Sequence, residues 1–283
     1  DYYDLIYVQG FSGWYLMNQK HQLGISTPPL ILNMHGLNML QAHASFKSHF
    51  ENIIFSTIVR KQLLRADFVQ SFGGVLTEIL VNNGVDKNKI WECGIGIEEK
   101  WVSRGKKSDS QRSFIYVGRF ERLKGIQELN VAINELLKED SDFVFHFIGP
   151  IPAKEMIKHR KITYHGLLKG DELIRQLLRE SDFLIVPSYS EGMPTVILEA
   201  MACGCAIIAT DVGAVSKMVS AKNGFLIPTP NVDLLSEAMR EAIRLPIEQL
   251  ENMKSASIEL LQGTYLWKNL ITQMISFFRE AGR

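Results

Sequence analysis

Three features are scarce in this sequence, and each absence excludes a class of protein. The 283 residues include only three cysteines, Cys93, Cys203 and Cys205, and these lack the spacing of zinc or C-x-x-C redox sites. We therefore expect reduced, buried thiols and a cytoplasmic location. No apolar run approaches the roughly 18 residues that a membrane-spanning helix needs. Lysine plus arginine equals aspartate plus glutamate at 31 each, so the net charge gives no support for a nucleic-acid partner held through its phosphates.

The composition that remains is that of a globular α/β protein. Hydrophobic residues make up 46% of the chain and charged residues 22%, which is typical of soluble domains. The length suffices for one large or two ordinary domains. Short apolar runs alternate with helical stretches along the whole chain, and this alternation favours parallel sheets.

The most informative stretch runs from residue 183 to residue 209. Residues 183–186 predict a buried strand, and a loop rich in turn-forming residues follows them. Pro194 then opens a short helix, Gly204 ends it, and residues 206–209 predict a second strand. A strand, a helix and a strand this close together predict a right-handed parallel crossover unit.

Two carboxylates flank the start of this helix. Glu199 is the one charged residue in a helix that is otherwise apolar nearly all the way round. An ionised carboxylate is costly in such a place unless hydrogen bonds replace its lost hydration. The preceding loop contributes Glu191, and the next residue, Gly192, allows a ligand to approach the backbone closely.

The helix start itself predicts an anion site. We expect Pro194 at the first helical position, where its fixed backbone angle suits the helix. The N–H groups of Met193, Thr195 and Val196 would then point out of the helix start together with the positive end of its dipole, which attracts phosphate. Two carboxylates beside a phosphate site predict a ligand that carries both phosphates and hydroxyls, such as a nucleotide sugar.

The segment from Glu191 to Glu199, followed by Ala-Met-Ala-Cys-Gly, closely resembles the paired-glutamate motif of the family 4 retaining glycosyltransferases. The resemblance implies that Glu191 lies by the transferred sugar and that Glu199 holds the ribose hydroxyls. Without it, Glu191 would be interpreted as a solvated loop residue and Glu199 as a paired core carboxylate. The implied fold class is α/β, with two Rossmann-like, doubly wound parallel-sheet domains (GT-B), the first incomplete.

A second motif of the same family lies in the loop from Gly118 to Gly125. It is not a Walker A loop, since no Gly-Lys-Ser/Thr follows, but it matches the family's Gly-Arg…Lys-Gly signature. The resemblance implies that Gly118 lies at the donor and that Arg119 and Lys124 neutralise its diphosphate; the alternative is a pair of solvated cations. Leu167 and Leu168 fall where the family's backbone contacts the base.

His35 follows the predicted strand at residues 30–34. Ligands bind beyond the carboxyl ends of parallel strands, and His35 matches the family's histidine that reaches the donor sugar or its phosphates. A hydrogen-bonded structural histidine is the alternative. We expect His43 and His49 on the surface. Residues 140–142 have the form of a metal-binding Asp-x-Asp, but they precede a strand rather than follow one, so we expect no metal there.

The domain boundaries follow from these motifs. We expect a partial first domain at residues 1–104, a polar linker at 105–112, a nucleotide-sugar-binding domain at 113–262, and a helix at 263–283 that returns to the first domain. Since the family has further strand-helix units before the segment that this chain resembles, we expect the front of the first domain to be missing. An uncovered sheet edge would then favour self-association.

A long amphipathic and basic helix is also predicted in the first domain, from residue 41 to residue 65. Such a helix either packs on its own sheet or contacts an anionic membrane surface. Packing on the sheet is the favoured interpretation, and peripheral contact with the inner face of a membrane stays open beside it.

The resemblance implies transfer of a sugar, with retention of configuration, from a nucleoside-diphosphate sugar to an acceptor hydroxyl on a glycan or lipid-linked acceptor. Family frequency alone favours UDP over GDP, and cell-surface polysaccharide or glycolipid synthesis is the expected setting. No metal and no other cofactor are implied. Two further classes stay open: a nucleotide-sugar 2-epimerase of the same architecture, which would act on the donor alone, and a non-catalytic glycosyltransferase-like module.

Overall fold

The computed structural model describes residues 3–41, 46–228 and 231–283, with side chains from residue 55 onward in the helix that begins at residue 46. Its strands form two sheets, and every strand pairing in both sheets is parallel. Helices connect most consecutive strands of each sheet, and β6 and β7 are joined by a longer loop instead, since parallel pairing requires a crossover. The α/β architecture with two Rossmann-like halves is therefore confirmed.

The first sheet has four strands in chain order, β1-β2-β3-β4. Strands β1 and β4 are its two edge strands among the described residues, and self-association stays a prediction. The elements of this half are β1 (Ile6–Gln9), α1 (Trp14–Leu23), β2 (Leu30–Asn33), α2 (Phe46–Arg65), β3 (Phe68–Ser71), α3 (Val75–Asn82) and β4 (Ile90–Glu92).

The second sheet has six strands in the order β10-β9-β8-β5-β6-β7. The chain runs outward from β5 to β7 and then returns to the other side of β5, so the direction of winding changes between β5 and β8. The elements are β5 (Arg112–Val117), α4 (Ile126–Lys138), β6 (Phe143–Ile148), β7 (Ile162–Tyr164), α5 (Asp171–Arg179), β8 (Phe183–Val186), α6 (Thr195–Ala202), β9 (Ala206–Thr210), α7 (Val215–Met218), β10 (Gly224–Ile227), α8 (Val232–Arg244) and α9 (Ile247–Leu260).

The last helix, α10 (Trp267–Ala281), crosses back to the first sheet. Its Phe277 stacks on Trp91 of β4 with ring centroids 4.3 Å apart, and Phe278 contacts Tyr7 of β1 at 5.8 Å. Just before α10, the backbone of Leu266 forms a bridge with Ile97. The last helix of the chain is thus attached to the first half.

The stretch predicted as a linker has no helix or strand at residues 105–111, but it is firmly attached to the second half. Ser108 donates a hydrogen bond to Asp182 at 2.7 Å, and Lys254 of α9 donates to both residues. Asp182 and Lys254 form a buried ion pair at 3.2 Å. Strand β5 begins at Arg112, two residues earlier than the apolar run at Phe114 indicates.

The second half of α2 packs against the first sheet. Val59, Gln62 and Leu63 are fully buried, which agrees with the favoured interpretation of this helix. The side chains of residues 46–54, which include His49, lie outside the described residues, and so does His43. None of the helices that the structure describes is both long enough and apolar enough to cross a membrane.

Candidate functional site

The reversal of winding between β5 and β8 fixes where a ligand site belongs in the second half. In open α/β sheets the crevice lies beyond the carboxyl ends of the two strands that flank such a point. Here the flanking loops are residues 118–125 after β5 and residues 187–194 after β8. The backbone N–H of Tyr189 donates to the Leu123 carbonyl at 2.8 Å, so the two loops are bonded to each other.

Gly125 makes this close approach possible. Its φ is +65°, a left-handed conformation, and a Cβ at this position would lie 1.7 Å from the Pro187 carbonyl oxygen. Any other residue would both strain the backbone and push the loops apart. Gly125, the second glycine of the Gly-Arg…Lys-Gly motif, therefore has a packing role that is independent of any ligand.

Lys124 and Glu191 meet at this crevice. The Lys124 Nζ lies 2.7 Å from Glu191 Oε1, and the Ser188 hydroxyl donates to the same oxygen at 2.7 Å. Glu191 is buried, with 8% of its surface exposed. Its second oxygen, Oε2, has no protein donor among the residues that the structure describes. One carboxylate oxygen is thus held in place while the other remains able to accept from a ligand hydroxyl.

Arg119 lies on the same loop but does not join this pair. Its guanidinium bonds Glu121 at 3.0 Å, and its side chain is 72% exposed. The loop is supported from below, since the Tyr116 hydroxyl donates to the Arg119 carbonyl at 3.0 Å. A Cβ on Gly118 would lie only 2.8 Å from that hydroxyl. Arg119 is therefore an exposed cation, in the loop after β5, on a backbone that Tyr116 fixes.

A network that the sequence did not indicate holds the two loops from behind. Arg122 donates to Glu128 and to the Tyr189 hydroxyl at 2.8 Å each, and Tyr189 donates to Glu128 at 2.7 Å. The guanidinium also lies 4.5 Å from the centre of the Tyr189 ring. Burial alone would raise the pKa of Glu128, but the bonds from Arg122 and Tyr189 hold it below its ordinary value.

Helix α6 begins one residue later than expected. Pro194 has an extended conformation and precedes the helix, so that Thr195 is the first helical residue. The residue before Pro194 is held in place, since Met193 is buried and its sulfur accepts a hydrogen bond from the Ile95 N–H at 3.3 Å. No side chain caps the helix start, and the Ile197 N–H donates to the Pro194 carbonyl at 3.1 Å, which leaves the N–H groups of Thr195 and Val196 for a ligand.

Glu199 lies one turn further along α6 and is not in contact with Lys124 or Glu191. Together with Thr195 it lines a groove of about 190 Å³, whose other wall includes Trp101 and Trp267. Burial raises the pKa of Glu199, the nearby charge of Asp171 raises it further, and a hydrogen bond with Thr195 opposes both. The two glutamates thus have separate surroundings, Glu191 beside Lys124 and Glu199 in this groove.

His35 approaches this site through its backbone. It is an exposed residue with a φ of +57°, and its N–H donates to the Asn33 side chain at 2.7 Å. A Cβ on Gly192 would lie 1.9 Å from the His35 carbonyl oxygen. The structure therefore brings His35 to the edge where Glu191 lies, although it records no contact of the imidazole with the glutamates.

Leu167 and Leu168 lie beyond β7, at the same edge of the second sheet. Leu167 is 71% exposed, whereas Leu168 packs against the buried core. The Gly166 carbonyl accepts from the Gly149 N–H at 2.8 Å, which fixes the turn before them. Contact with a base stays a prediction for these two residues.

Metal ligands do not cluster in the part of the chain that the structure describes. No group of three or more histidine, cysteine, aspartate or glutamate side chains there has a suitable arrangement. The residues at 140–142 precede β6, at the sheet edge opposite the crevice, and Asp142 accepts a hydrogen bond from Gln111 at 2.7 Å.

The family described as "Glycosyl transferases group 1" matches residues 97–260, which include both motifs of the crevice. The match covers more than half of the chain. The chain belongs to this family. The resemblance drawn from the paired-glutamate motif is thereby confirmed.

Named relatives extend the comparison. A glycosyltransferase assigned to teichuronic acid biosynthesis, TuaC of Bacillus subtilis, is 40% identical over 129 residues, which are 46% of this chain and 32% of TuaC. The N,N'-diacetylbacillosaminyl-diphospho-undecaprenol alpha-1,3-N-acetylgalactosaminyltransferase of Campylobacter jejuni is 26% identical over 259 residues, covering 84% of this chain and 66% of that enzyme. The chain thus spans between about a third and two thirds of the length of these two relatives.

Solved structures share the fold. A sucrose-phosphate synthase from Thermosynechococcus elongatus superimposes with a TM-score of 0.78 at 21% identity, covering 98% of this chain and 73% of that one. Anabaena HepE in complex with UDP-glucose gives a TM-score of 0.73 at 17% identity, covering 98% of this chain and 79% of that one. At these identities the likeness shows the GT-B fold.

Proposed function

We propose that this chain carries the donor site of a retaining glycosyltransferase, which moves a sugar from a nucleoside-diphosphate sugar to an acceptor hydroxyl. The observation that supports this most directly is the pair of Lys124 and Glu191, 2.7 Å apart at the winding reversal of the second sheet. A cation for a phosphate and a carboxylate for a sugar hydroxyl lie side by side at the edge where such folds bind nucleotides.

The proposed division of labour assigns the diphosphate to the cations. Lys124 has three N–H donors, so it can keep its bond to Glu191 and still bind a phosphate oxygen. Arg119, in the loop after β5, and the N–H groups at the start of α6 complete the anion site. In a cleft from which water is excluded, these groups stabilise the negative charge that develops on the departing diphosphate.

The two glutamates bind the neutral parts of the donor in this proposal. Glu191 accepts from a hydroxyl of the transferred sugar through Oε2, and Glu199 accepts from the ribose hydroxyls in the groove beside Thr195. The acceptor hydroxyl attacks the sugar carbon as the bond to the diphosphate breaks, and its proton passes to the leaving phosphate oxygen. The sugar keeps its configuration, and the cations take the role that a metal ion has in other transferases.

The nature of the two substrates is inferred from relatives. UDP is favoured as the nucleotide because HepE, which shares the fold, was solved with UDP-glucose. The names of the relatives refer to teichuronic acid and to a diphospho-undecaprenol, and on this basis we propose a glycan or lipid-linked acceptor in cell-surface polysaccharide or glycolipid synthesis. A cytoplasmic chain in peripheral contact with the membrane would meet both substrates.

Thermal stabilisation by a panel of nucleotides and nucleotide sugars tests the donor site. A ligand at 100 times its dissociation constant stabilises the folded chain by about 2.7 kcal/mol. We expect at least one nucleoside diphosphate to raise the melting temperature, and the double variant Arg119→Ala, Lys124→Ala to lose the effect. Lys158 and Arg160 are exposed cations outside the crevice, so their double alanine variant is the matched control.

An equal response of the two double variants would refute the assignment of the cations. The open alternatives are separated by incubating the chain with the preferred nucleotide sugar alone and analysing the product. Conversion to an isomeric nucleotide sugar would indicate the 2-epimerase. Binding without any turnover, even with acceptors present, would indicate a non-catalytic module.

A further inference from the structure

The loop that carries Glu191 is held from two sides. Its own half holds the carboxylate through Lys124 and Ser188, as described above. The first half holds its backbone: the Gln41 side-chain amide donates to the Glu191 carbonyl oxygen at 2.8 Å. Gln41 is buried, with 9% of its surface exposed. The two residues are 150 positions apart in the sequence, so this bond exists only while the halves are together.

A second bond and a close backbone contact accompany the first. The hydroxyl of Ser190 donates to the Asn38 side-chain oxygen at 2.9 Å. A Cβ on Gly36 would lie 3.4 Å from the backbone of Gly192, so the two glycines pack backbone against backbone. Each of residues 190–192 of the second half thus contacts one residue within the segment 36–41 of the first half.

These contacts make Gln41 important for the direction of the Glu191 side chain. Without the amide, a buried carbonyl would lose its donor, and an unpaired buried acceptor costs more free energy than the bond itself contributes. The loop would then relax towards another donor or towards water, and the carboxylate on the same residue would turn with it. Ser188 and Lys124 fix one carboxylate oxygen of Glu191, but neither of them bonds the backbone of Glu191 itself.

We propose that Gln41 is a positioning residue that fixes the backbone of Glu191 from the opposite half, so that the carboxylate meets the donor sugar only when the two halves are closed. Its meaning for the donor rests on the proposed function. Gln41 itself touches neither the diphosphate nor the sugar in this proposal. Its loss should therefore affect recognition of the sugar part of the donor and spare recognition of the nucleoside diphosphate.

The test uses the purified chain and the variant Gln41→Met, which keeps the length of the side chain and removes the donor. Gln70→Met is the matched control. Gln70 is buried like Gln41 and donates to a backbone carbonyl at 2.8 Å, but that carbonyl belongs to Cys93 of its own half. Hydrogen exchange of residues 188–193 and calorimetric titrations with UDP and UDP-glucose are measured for wild type and both variants.

For Gln41→Met we expect about tenfold faster exchange at residues 188–193, the change that corresponds to one lost hydrogen bond. The dissociation constant of UDP should stay at its wild-type value, while the dissociation constant of UDP-glucose should rise to about ten times its own wild-type value. Gln70→Met should leave both quantities unchanged. Wild-type exchange and a wild-type ratio of the two constants in Gln41→Met would overturn the proposal.

The two measurements separate this inference from the proposed function. If the wild-type chain binds neither UDP nor UDP-glucose, the proposed function fails, and the exchange of residues 188–193 still decides whether Gln41 holds the loop. If Gln41→Met does not fold, Gln41→Asn replaces it: the asparagine keeps the amide but is one methylene shorter, so the amide no longer reaches the Glu191 carbonyl and the same changes are expected.

Discussion

Replacing Glu199 with glutamine should raise the melting temperature of the ligand-free chain and weaken its response to a nucleotide. The reason for the first effect is the pKa of Glu199, which burial raises above its ordinary value, with a further rise from the charge of Asp171. A carboxyl group with a raised pKa holds its proton more tightly in the folded chain than in the unfolded chain. Ionising it at neutral pH therefore destabilises the fold, and glutamine removes that penalty.

The sign of the pH dependence follows from the same shift. The penalty is fully present above the folded-state pKa, where Glu199 is ionised in both states. It declines as the pH falls towards the ordinary value of 4.5, because the folded chain then takes up its proton first. The advantage of Glu199→Gln over wild type should accordingly be largest at neutral pH and shrink in acid.

The second effect has the opposite sign because the ligand uses the charge. A hydrogen bond to a charged group contributes about 1.5–3 kcal/mol, which corresponds to a roughly 10- to 150-fold change in dissociation constant. In a chain of this size, 1 kcal/mol shifts the melting temperature by about 2–4 °C. The rise produced by a saturating nucleoside diphosphate should therefore be smaller in Glu199→Gln by roughly 3–12 °C.

Differential scanning measurements with and without UDP, repeated from neutral to acidic pH, test both effects on one sample. Glu259→Gln is the control, since Glu259 is exposed on α9 and the same change of charge there should alter neither quantity. A lower melting temperature of ligand-free Glu199→Gln, combined with an undiminished response to UDP, would refute the reasoning. Glu199 would then be a core carboxylate that serves the fold.

Two further changes probe the contacts that hold the site together. Gly192→Ala would bring a Cβ to 1.9 Å from the His35 carbonyl oxygen and should lower the unfolding free energy by about 1–3 kcal/mol through forced backbone shifts. Gly263→Ala is the control, since a Cβ there has open space around it. Equal melting temperatures of the two variants would contradict the packing described. Lys254→Met leaves the buried Asp182 carboxylate unpaired and should cost about 3–5 kcal/mol in urea denaturation; an unchanged midpoint would mean that water reaches this pair.

The fold was predictable wherever the sequence signal was local. The apolar runs at residues 183–186 and 206–209 became β8 and β9 because strands buried on both faces require such runs. Strand β5 begins two residues before the apolar run at Phe114 for a physical reason: Arg112 is buried in the strand because its guanidinium donates to the backbone carbonyls of Asp109 and Leu245. A charged residue with distant partners has no signature of burial in the sequence.

The site residues, like the strands, were predictable where the sequence signal was local. Lys124 and Glu191 could be identified because each lies in a short motif directly after a strand, and parallel strands bring such loops to one edge. Ser188 was missed although a signal existed, since a hydroxyl three residues before the glutamate in the same turn can reach it. The bond from Gln41 left no signal, because it joins segments of two different sheets.

Three residues at this edge are less favourable for stability than the alternatives would be, and this supports ligand binding there. His35 has a left-handed backbone, which costs a residue other than glycine about 1–3 kcal/mol. Glu199 is half-buried with a raised pKa, and Gly192 has no side chain where its backbone contacts that of His35. A scaffold selected for stability alone would have an extended residue and an apolar side chain at the first two positions. All three lie where the two halves meet, beside the crevice that the strand order alone identifies.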